Sequence, residues 1–420
     1  MKSFNLHIHR IITEAVETIG CRQSLRRVAA LPLYRNALYL MLNTVIMSLL
    51  GFFFWMVVAR FYSMIEVGYS SAIISAIRLL ALLSLVGLNF SVIRFLPQAD
   101  RPKELINSSF TLSALISLVI AAIFIAGLNF WSPRLSFIGQ NAIFALTFLV
   151  VAVLFTLSNL MGAVFIARRG AGFVLSKNAI LSLLRIPLLV VLATLFHTFG
   201  VIASWGIAIA IALTISVFLF LPRVEDGYKP APALELSHIS DIWRYSGSSY
   251  LASLLSMAPT MILPLMVLNV LGTQGNAYFY IAWMIASLLF AIPRSVSRSL
   301  FAEGSYSEEN IKENVTRSIK LTFMLLVPAV IVMMVAAKWV LIAFGWTYSV
   351  NALKLLWLLT LSSLPLGISQ IYFGLLRVQY RLKELVIIQG FIAIAVLTLS
   401  FFIMPTHGII GIGYVWLGIQ

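Results

Sequence analysis

The sequence predicts an all-α, polytopic transmembrane helix bundle with about 12 spans, in two pseudo-symmetric six-helix lobes around a central cavity. Of its 420 residues, 61% are hydrophobic and only 10% are charged, whereas a soluble domain carries about 25% charged residues. The apolar residues stand in blocks, and a helix of about 20 residues crosses the roughly 30 Å of hydrocarbon in a bilayer. The blocks are too long for the roughly 10-residue alternating strands of a membrane β-barrel. A helical membrane protein is therefore predicted.

Twelve hydrophobic segments follow one another along the chain. They cover residues 37–59, 68–95, 108–131, 142–166, 173–197, 200–221, 246–271, 276–299, 320–344, 352–376, 384–404 and 408–420. The last segment is too short to cross a bilayer. We therefore expect a helix that the full-length protein completes, or one that is only half-inserted.

Basic residues are distributed unequally between alternate loops. With the N-terminus placed in the cytoplasm, most of the 29 Lys and Arg residues fall in cytoplasmic loops, and those on the opposite side are Arg60, Arg134, Lys338 and Lys354. Cytoplasmic loops carry such an excess of Lys and Arg, and a missed span would destroy the pattern. We expect a multi-pass protein of the cytoplasmic (inner) membrane with a cytoplasmic N-terminus. Topology thus explains the net charge of +15 better than nucleic-acid binding does.

The longest polar stretch between spans divides the spans six and six. This stretch is the predicted cytoplasmic linker, residues 222–244, so that residues 36–221 form an N-lobe and residues 245–420 a C-lobe. Residues 1–35 place apolar side chains at helical spacing, with His, Arg and Glu between them. They predict an amphipathic helix on the cytoplasmic membrane surface. A soluble tail helix is the alternative.

The two lobes contain a repeated segment. The turn that ends at Tyr69 precedes the second span, and the turn that ends at Tyr278 precedes the eighth, at an offset of 209 residues. An even number of spans separates the copies, so both point the same way through the membrane. Such parallel repeats imply a pseudo-two-fold axis along the membrane normal, with a cavity between the lobes.

Several motifs resemble those of a known family. The turn Ala59-Arg-Phe-Tyr-Ser-Met-Ile-Glu-Val-Gly68 resembles the AR-x-L-x-x-x-x-x-G turn of polysaccharide transporters, with Tyr62 in place of the leucine. Similarity to the ninth, tenth and twelfth helices of that family is carried by Ile342–Tyr348, Leu355–Leu359, Leu364–Pro365, Tyr372–Gln379 and Gly408–Gly413. These transporters, like the O-antigen flippases, belong to the multidrug/oligosaccharidyl-lipid/polysaccharide (MOP) exporter superfamily. The resemblance implies two six-helix bundles that open alternately inward and outward and move undecaprenyl- or dolichyl-diphosphate-linked oligosaccharides across the cytoplasmic membrane.

The charges near the span centres are both arginines. Arg78 lies ten residues after Gly68, about 15 Å into the second span, and Arg185 precedes Pro187 near the middle of the fifth. All 14 acidic residues lie outside the span centres. Because intramembrane charge is costly, the two arginines indicate an anionic ligand, and guanidinium groups bind phosphate oxygens in bidentate fashion. The alternative is that each arginine bonds backbone carbonyls at a kink or a neighbouring helix.

Three further residues complete the predicted substrate-binding set. Arg294 follows Pro293 toward the cytoplasmic end of the eighth span, where it is a candidate for substrate uptake, with snorkelling to lipid headgroups as the alternative. Asn269 and Gln370 could hydrogen-bond a glycan, or could be helix-packing contacts. We expect membrane lipids and a polyprenyl-diphosphate-linked glycan as partners, and no nucleic acid. Glycosyltransferases or a polymerase of the same pathway are further candidates.

Patterns typical of an enzyme do not occur in the sequence. The five histidines show no metal-ligand spacing within one span, and there is no Ser-His-Asp, paired-carboxylate or Gly-Lys-Thr arrangement. Cys21 is the only cysteine, which excludes a disulfide or a multi-cysteine metal site within one chain. We therefore predict no catalytic residues, no metal and no cofactor.

The sequence favours a flippase that translocates a lipid-diphosphate-linked oligosaccharide or polysaccharide precursor by alternating access. A cation-coupled multidrug or metabolite exporter of the same superfamily is the first alternative, and it would ordinarily use a buried acid. A membrane enzyme of envelope polysaccharide synthesis is the second. That enzyme would be expected to carry a large external loop or catalytic acids, and the sequence has neither.

The predicted orientation can be tested by cysteine labelling. In a Cys21→Ser background, Ser237→Cys should resist a membrane-impermeant thiol reagent in intact cells and react after permeabilisation, because residue 237 lies in the predicted cytoplasmic linker. Gln140→Cys, in a predicted external loop, is the control and should react in both cases. Ready labelling of Ser237→Cys in intact cells would contradict the orientation.

Overall fold

The computed structural model describes residues 32–233, 239–304 and 311–420, which are almost entirely helical and contain no strand. The helices are α1 (Pro32–Phe61), α2 (Met64–Leu85), α3 (Leu88–Phe95), α4 (Pro102–Ala126), α5 (Leu128–Trp131), α6 (Phe137–Gln140), α7 (Ala142–Ala167), α8 (Ala171–Ile215), α9 (Leu221–Val224), α10 (Ile239–Gly304), α11 (Ile311–Phe344), α12 (Trp346–Asn351), α13 (Leu353–Val378) and α14 (Leu382–Ile419). Short 3-10 turns cover Leu96–Gln98 and Pro133–Leu135, and a π-helical turn covers Ser216–Phe220.

Ten segments of the described residues are long and apolar enough to cross a membrane. Two of them, Gly247–Phe301 and Leu382–Ile419, are interrupted by glycines in the left-handed half of backbone space, Gly272 (φ 89°) and Gly408 (φ 60°). Glycine adopts a positive φ without a steric penalty, so each of these segments reverses direction. Gly247–Phe301 supplies two spans, and Leu382–Ile419 supplies one span followed by a shorter helical segment. The chain is thus an all-α, multi-pass membrane protein with about 12 spans, as predicted.

Several boundaries differ from the predicted ones. The second span ends at Leu85 rather than at residue 95, because Val86 (φ 46°) and Gly87 (φ 84°) are both left-handed and break the helix. Helix α10 begins at Ile239, inside the predicted linker. The predicted amphipathic helix of residues 1–35 lies almost entirely outside the described residues.

The α1–α2 turn packs on α8. The Tyr62 hydroxyl donates to the Leu189 carbonyl at 3.1 Å, and burial, followed by the charge of Glu66, raises the pKa of Tyr62 to about 12. The hydroxyl is therefore protonated at neutral pH. Helix α8 itself reverses nearby, since a Cβ built on Gly200 would lie 2.6 Å from the Leu192 carbonyl oxygen, an approach that a straight helix does not permit.

The structure supports the internal repeat with a matched pair of aromatic contacts. In the N-lobe, Tyr69 packs edge-on against Phe137 of α6, with ring centroids 5.2 Å apart. In the C-lobe, Tyr278 packs edge-on against Tyr348 of α12 at 5.5 Å. Each tyrosine begins the second span of its lobe, and each partner lies in the short helix between the third and fourth spans. The tyrosines, 209 residues apart, therefore occupy equivalent places in the two lobes, and their ring partners are 211 residues apart.

The beginning of the linker is attached to the N-lobe. Tyr228 donates to the Asn107 side chain at 2.6 Å, while the Asn107 amide donates to the Lys229 carbonyl. Burial raises the pKa of Tyr228 to about 12, which keeps its hydroxyl protonated. Arg168 and Glu225 form an ion pair at 2.6 Å. We call this end of the bundle the linker end, and the opposite end, which carries the Tyr62–Ser63 turn, the turn end.

The lobes meet through backbone at the turn end. A Cβ built on Gly68 of α2 would lie only 2.0 Å from the Thr273 carbonyl oxygen of α10. The Asn276 amide donates to the Gly68 carbonyl at 2.7 Å and to the Ser71 hydroxyl at 3.0 Å. Asn276 is fully buried. The lobes are therefore joined at a place where Gly68 leaves room for the backbone of the other lobe and the buried Asn276 amide donates across the contact.

Gly68→Ala should weaken this contact, because the added methyl group must displace the Thr273 backbone. Overpacking of this kind costs roughly 1–3 kcal/mol, so we expect a lower unfolding temperature of the purified protein in detergent. Gly162→Ala is the matched control, since a Cβ there meets no atom within 4 Å. Equal unfolding temperatures for the Gly68→Ala variant and the native protein would contradict the contact.

Candidate functional site

Arg185 is buried where α1, α8 and α10 approach one another. Its side chain is 8% exposed, and its guanidinium carbon lies 4.3 Å from the centroid of the Phe54 ring. Its charge also interacts with Tyr280 of the other lobe. The Nε atom is buried and has no hydrogen-bond partner among the described residues. A buried guanidinium with an unsatisfied donor is a candidate for ligand binding.

Arg78 completes a pair of cations at this place. It lies on α2, is half-buried, and its charge is close enough to that of Arg185 to repel it. Within the described parts of the chain neither arginine has an acidic partner, and no group of three or more His, Cys, Asp or Glu residues could hold a metal there. The structure thus brings together the two intramembrane arginines that the sequence singled out, from different helices of the N-lobe.

A row of polar contacts between α1 and α8 positions Arg185. The two helices run side by side in nearly constant register, and residues 134 or 135 positions apart contact each other. From the linker end inward, the contacts are Asn36 with the Ala171 amide, Asn43 with Asn178, Met47 with Ser182, and Gly51 with Arg185. The guanidinium of Arg185 ends beside Gly51, where a Cβ would lie 4.0 Å from its Nη2. The register of the two helices, and not a salt bridge, therefore fixes this cation.

Aromatic rings cover the site on its turn-end side. Trp55 and Tyr280 join the two lobes, with ring centroids 4.6 Å apart. Phe52 and Phe344 make a second contact between the lobes, edge-on at 5.1 Å. The arginine pair is consequently shielded from the turn end by apolar packing.

Arg60 links the two lobes at the turn end. Its Nε donates to the Ala343 carbonyl at 2.9 Å, and its Nη2 donates to the Ile342 carbonyl at 2.8 Å. These are among the last carbonyls of α11, which have no partner within the helix, and a cation near a helix C-terminus is stabilised by the helix dipole. The sequence indicates only that Arg60 lies on the side opposite the cytoplasm, because its acceptors are far away along the chain.

Asn269 also links the two lobes at the turn end, away from the arginine pair. Its amide donates to the Trp131 carbonyl and to the Ser132 hydroxyl, both at 3.2 Å. Arg134 extends over the backbone of Gly272, since a Cβ there would lie 2.7 Å from its Nη1. These contacts, with Arg60 and the Gly68–Asn276 contact, form what we call the turn-end seal.

Arg294 and Gln370 lie away from the arginine pair, toward the linker end of the C-lobe. Both are half-buried, and the Gln370 carbonyl accepts a hydrogen bond from Ser297, which stands close to Arg294 on α10. Another polar residue of the spans, Lys177, is enclosed within the N-lobe, where its Nζ donates to the carbonyl and hydroxyl of Ser158. The five predicted substrate-binding residues therefore occupy three places: the arginine pair, the turn-end seal and the linker end of the C-lobe.

The residue that sequence reasoning missed is Asn276. It stands in an apolar segment directly after the Gly272 break, and a lone amide in a span is a signal for an interhelical hydrogen bond. Only the folded chain shows that its partner is the opposite lobe.

Comparison with known proteins identifies the family. The family described as "Polysaccharide biosynthesis protein" matches residues 57–353, more than two thirds of the chain. A Shigella flexneri protein described as "Putative O-antigen transporter" is 24% identical over 153 residues. That alignment covers 36% of this chain and 37% of the relative, so the match spans little more than a third of either protein.

Solved structures show the same fold at low sequence identity. The lipid II flippase MurJ, in an inward closed conformation, matches with a TM-score of 0.69 and 14% identity, over 91% of this chain and 85% of that one. A multidrug resistance MATE family transporter of the MOP superfamily, in an inward-facing conformation, gives 0.66 and 15%, over 91% and 94%. A MOP superfamily transporter from Pyrococcus furiosus gives 0.62 and 16%, over 92% and 91%.

The structural similarities show the fold, and the match to the family shows that the chain is related to its members. The chain has two helical lobes, a seal between them at one end, and a pair of cations between the seal and the linker end. It belongs to the polysaccharide biosynthesis protein family and has the fold of the MOP superfamily transporters.

Proposed function

We propose that this protein translocates a lipid-diphosphate-linked oligosaccharide across the cytoplasmic membrane by alternating access. The observation that carries the proposal is the pair Arg78 and Arg185, which lies within the membrane spans without an acidic partner among the described residues. The family and the O-antigen transporter relative support the substrate class. No step of this transport breaks or forms a covalent bond, so the protein needs no catalytic group.

The arginine pair suits a diphosphate better than a single charge. Two guanidinium groups that repel each other are stabilised when an anion stands between them, because the anion attracts both. Each guanidinium can bind two phosphate oxygens through parallel hydrogen bonds. The unsatisfied Nε of Arg185 supplies one such donor. We therefore assign the diphosphate to Arg78 and Arg185.

The aromatic and amide groups around the pair suit the remainder of the substrate. Tyr280 interacts with Arg185 and packs against Trp55, and both side chains combine an apolar ring with a polar O–H or N–H group. Sugar rings have a similar division between apolar C–H faces and hydroxyl edges. We place the glycan along these rings and the lipid tail toward the bilayer.

The turn-end seal supports alternating access. The linker end faces the cytoplasm in the predicted orientation, so that the seal would close the external side. Its contacts are mostly hydrogen bonds to backbone carbonyls, which can exchange for bonds to water at modest net cost. Opening would separate Arg60 from α11 and Asn269 from the loop around Trp131. The same substrate site would then face outward.

A cation-coupled exporter of the same superfamily is the competing function, because MATE family structures match the fold as well. Such an exporter would bind cationic compounds, for which a buried acid is the natural partner. In the described spans, acidic residues lie near the helix ends; Glu66, Glu104, Glu225 and Glu384, for example, pair with nearby groups there. The charge of the site thus favours an anionic substrate.

Arg78→Ala should abolish translocation while leaving membrane insertion intact, since loss of a buried charge lowers the cost of insertion. Arg78→Lys should restore activity only in part, because an ammonium group cannot reproduce the guanidinium fork. The measurement is complementation of a flippase-deficient strain, together with the amount of protein in the membrane. Arg317→Ala removes an exposed arginine that pairs with Glu313 and should keep full activity. Full activity of Arg78→Ala at normal expression would refute the assigned role.

Arg60→Gln should shift the protein toward the state that is open at the turn end. Loss of the hydrogen bonds to Ile342 and Ala343 costs on the order of 1 kcal/mol, which changes the population ratio about fivefold. Spin labels on Ile65 and Val350, which are exposed residues of opposite lobes, would report the shift as a larger population at long distance.

Lys338→Gln is the matched control for this experiment. Lys338 interacts with the Trp346 ring of its own lobe, at 5.7 Å, and makes no bond across the seal to any residue that the structure describes. Its removal should leave the distance distribution unchanged. An unchanged distribution for Arg60→Gln as well would contradict the role of the seal.

A further inference from the structure

A group of three arginines stands at the linker end of the C-lobe. Arg294 and Arg298 lie one turn apart on α10, and Arg377 lies near the end of α13. Arg294 and Arg377 are half-buried, and Arg298 is exposed. The charge of Arg298 repels both of the others. We call these residues the arginine triad.

A close helix contact forces the triad together. The Ser297 hydroxyl donates to the Gln370 carbonyl, and Gly374 follows one turn later on α13. A Cβ built on Gly374 would lie 2.7 Å from the Ser297 hydroxyl and 3.0 Å from its carbonyl oxygen. The two helices therefore touch here without intervening side chains. Arg298 directly follows Ser297, and Arg377 lies one turn beyond Gly374. The two arginines therefore lie at the edges of this helix contact.

Several other arginines have acidic partners, whereas the triad has none among the described residues. The ion pairs elsewhere join Arg101 to Glu104, Arg168 to Glu225, Arg317 to Glu313 and Arg381 to Glu384. Like charges one turn apart on a helix destabilise it, and half-buried charges need a counter-charge. Three cations that pack beside one another, with no acid among the described residues, are suited to an external anion.

The triad is too far from Arg78 and Arg185 to act on the same phosphate groups. Arg294 stands fourteen residues after Tyr280 on α10, which corresponds to about 21 Å of helix. Tyr280 interacts with Arg185, and Arg78 corresponds at the offset of 209 residues to Ser287, which lies seven residues before Arg294, or about 10 Å of helix. A diphosphate extends over a few ångströms only, and the triad must therefore serve a second bound group or a second stage of binding.

We propose that Arg294, Arg298 and Arg377 form a separate binding site for a lipid phosphate group, which holds the substrate diphosphate before it moves to Arg78 and Arg185. The exposed Arg298 makes the first contact, and the half-buried Arg294 and Arg377 complete the coordination. The chemistry fits both the diphosphate of the substrate and the phosphate of an anionic phospholipid. The inference rests on the proposed function only in naming the substrate as the occupant.

Binding stoichiometry tests the site directly. The purified protein in phosphatidylcholine nanodiscs should bind two equivalents of a radiolabelled short-chain prenyl diphosphate in equilibrium dialysis. Arg298→Gln/Arg377→Gln should bind one, and Arg78→Gln/Arg185→Gln should also bind one. Arg298→Lys/Arg377→Lys should keep two sites, one of them roughly tenfold weaker, because lysine retains the charge but not the fork. The lysine variant separates loss of binding from loss of folding.

The outcomes distinguish this inference from the proposed function. Two sites retained in Arg298→Gln/Arg377→Gln would overturn the triad, whatever the other pair does. One site lost there, with none lost in Arg78→Gln/Arg185→Gln, would support the triad and refute the deeper site. Nanodiscs that contain phosphatidylglycerol separate the two sources of phosphate. Displacement of the triad-bound probe by that lipid would assign the site to phospholipid headgroups, and persistence of both sites would assign it to the substrate.

Discussion

The contact of Gly68 with the backbone at Thr273 governs how the two lobes meet. Because position 68 carries no side chain, α2 approaches α10 until the buried Asn276 amide reaches the Gly68 carbonyl. Tyr280 lies one turn beyond Asn276 and is thereby set against Trp55. The position of Tyr280 in turn encloses Arg185 from the C-lobe side. Without this close approach, the arginine pair would contact residues of the N-lobe only and could not respond to movement of the C-lobe.

Charge is used differently at the two ends of the bundle and between them. At the turn end, Arg60 is neutralised by helix C-terminal carbonyls, whose partial negative charge is fixed by the fold. At the linker end, several surface arginines are paired with acids. The pair Arg78–Arg185 and the triad Arg294–Arg298–Arg377 have neither kind of partner among the described residues. An unneutralised cation in a membrane protein is costly, which is why we propose these two places as anion sites.

The two lobes share the aromatic packing of the internal repeat but not its polar residues. The contacts of Tyr69 with Phe137 and of Tyr278 with Tyr348 occupy equivalent positions in the two lobes, so that packing follows the pseudo-symmetry. The polar residues depart from it: Arg78 corresponds at the offset of 209 residues to Ser287, whose hydroxyl bonds within its own helix. The two lobes are therefore similar in packing, whereas the charged residues between them are asymmetric.

The sequence by itself determined the number and nature of the spans, because the thickness of the bilayer sets the length of an apolar helix that crosses it at about 20 residues. It also singled out Arg78 and Arg185, since an isolated charge in an apolar span is conspicuous without any structure. Tertiary structure alone decided which groups the polar residues contact. Arg60 finds its acceptors 282 and 283 residues away, Asn269 closes onto a loop of the opposite lobe, and Arg377 joins Arg298 because a glycine lets two helices touch. Periodicity along a chain carries no information about which helices become neighbours, and contacts between helices are where the candidate sites are assembled.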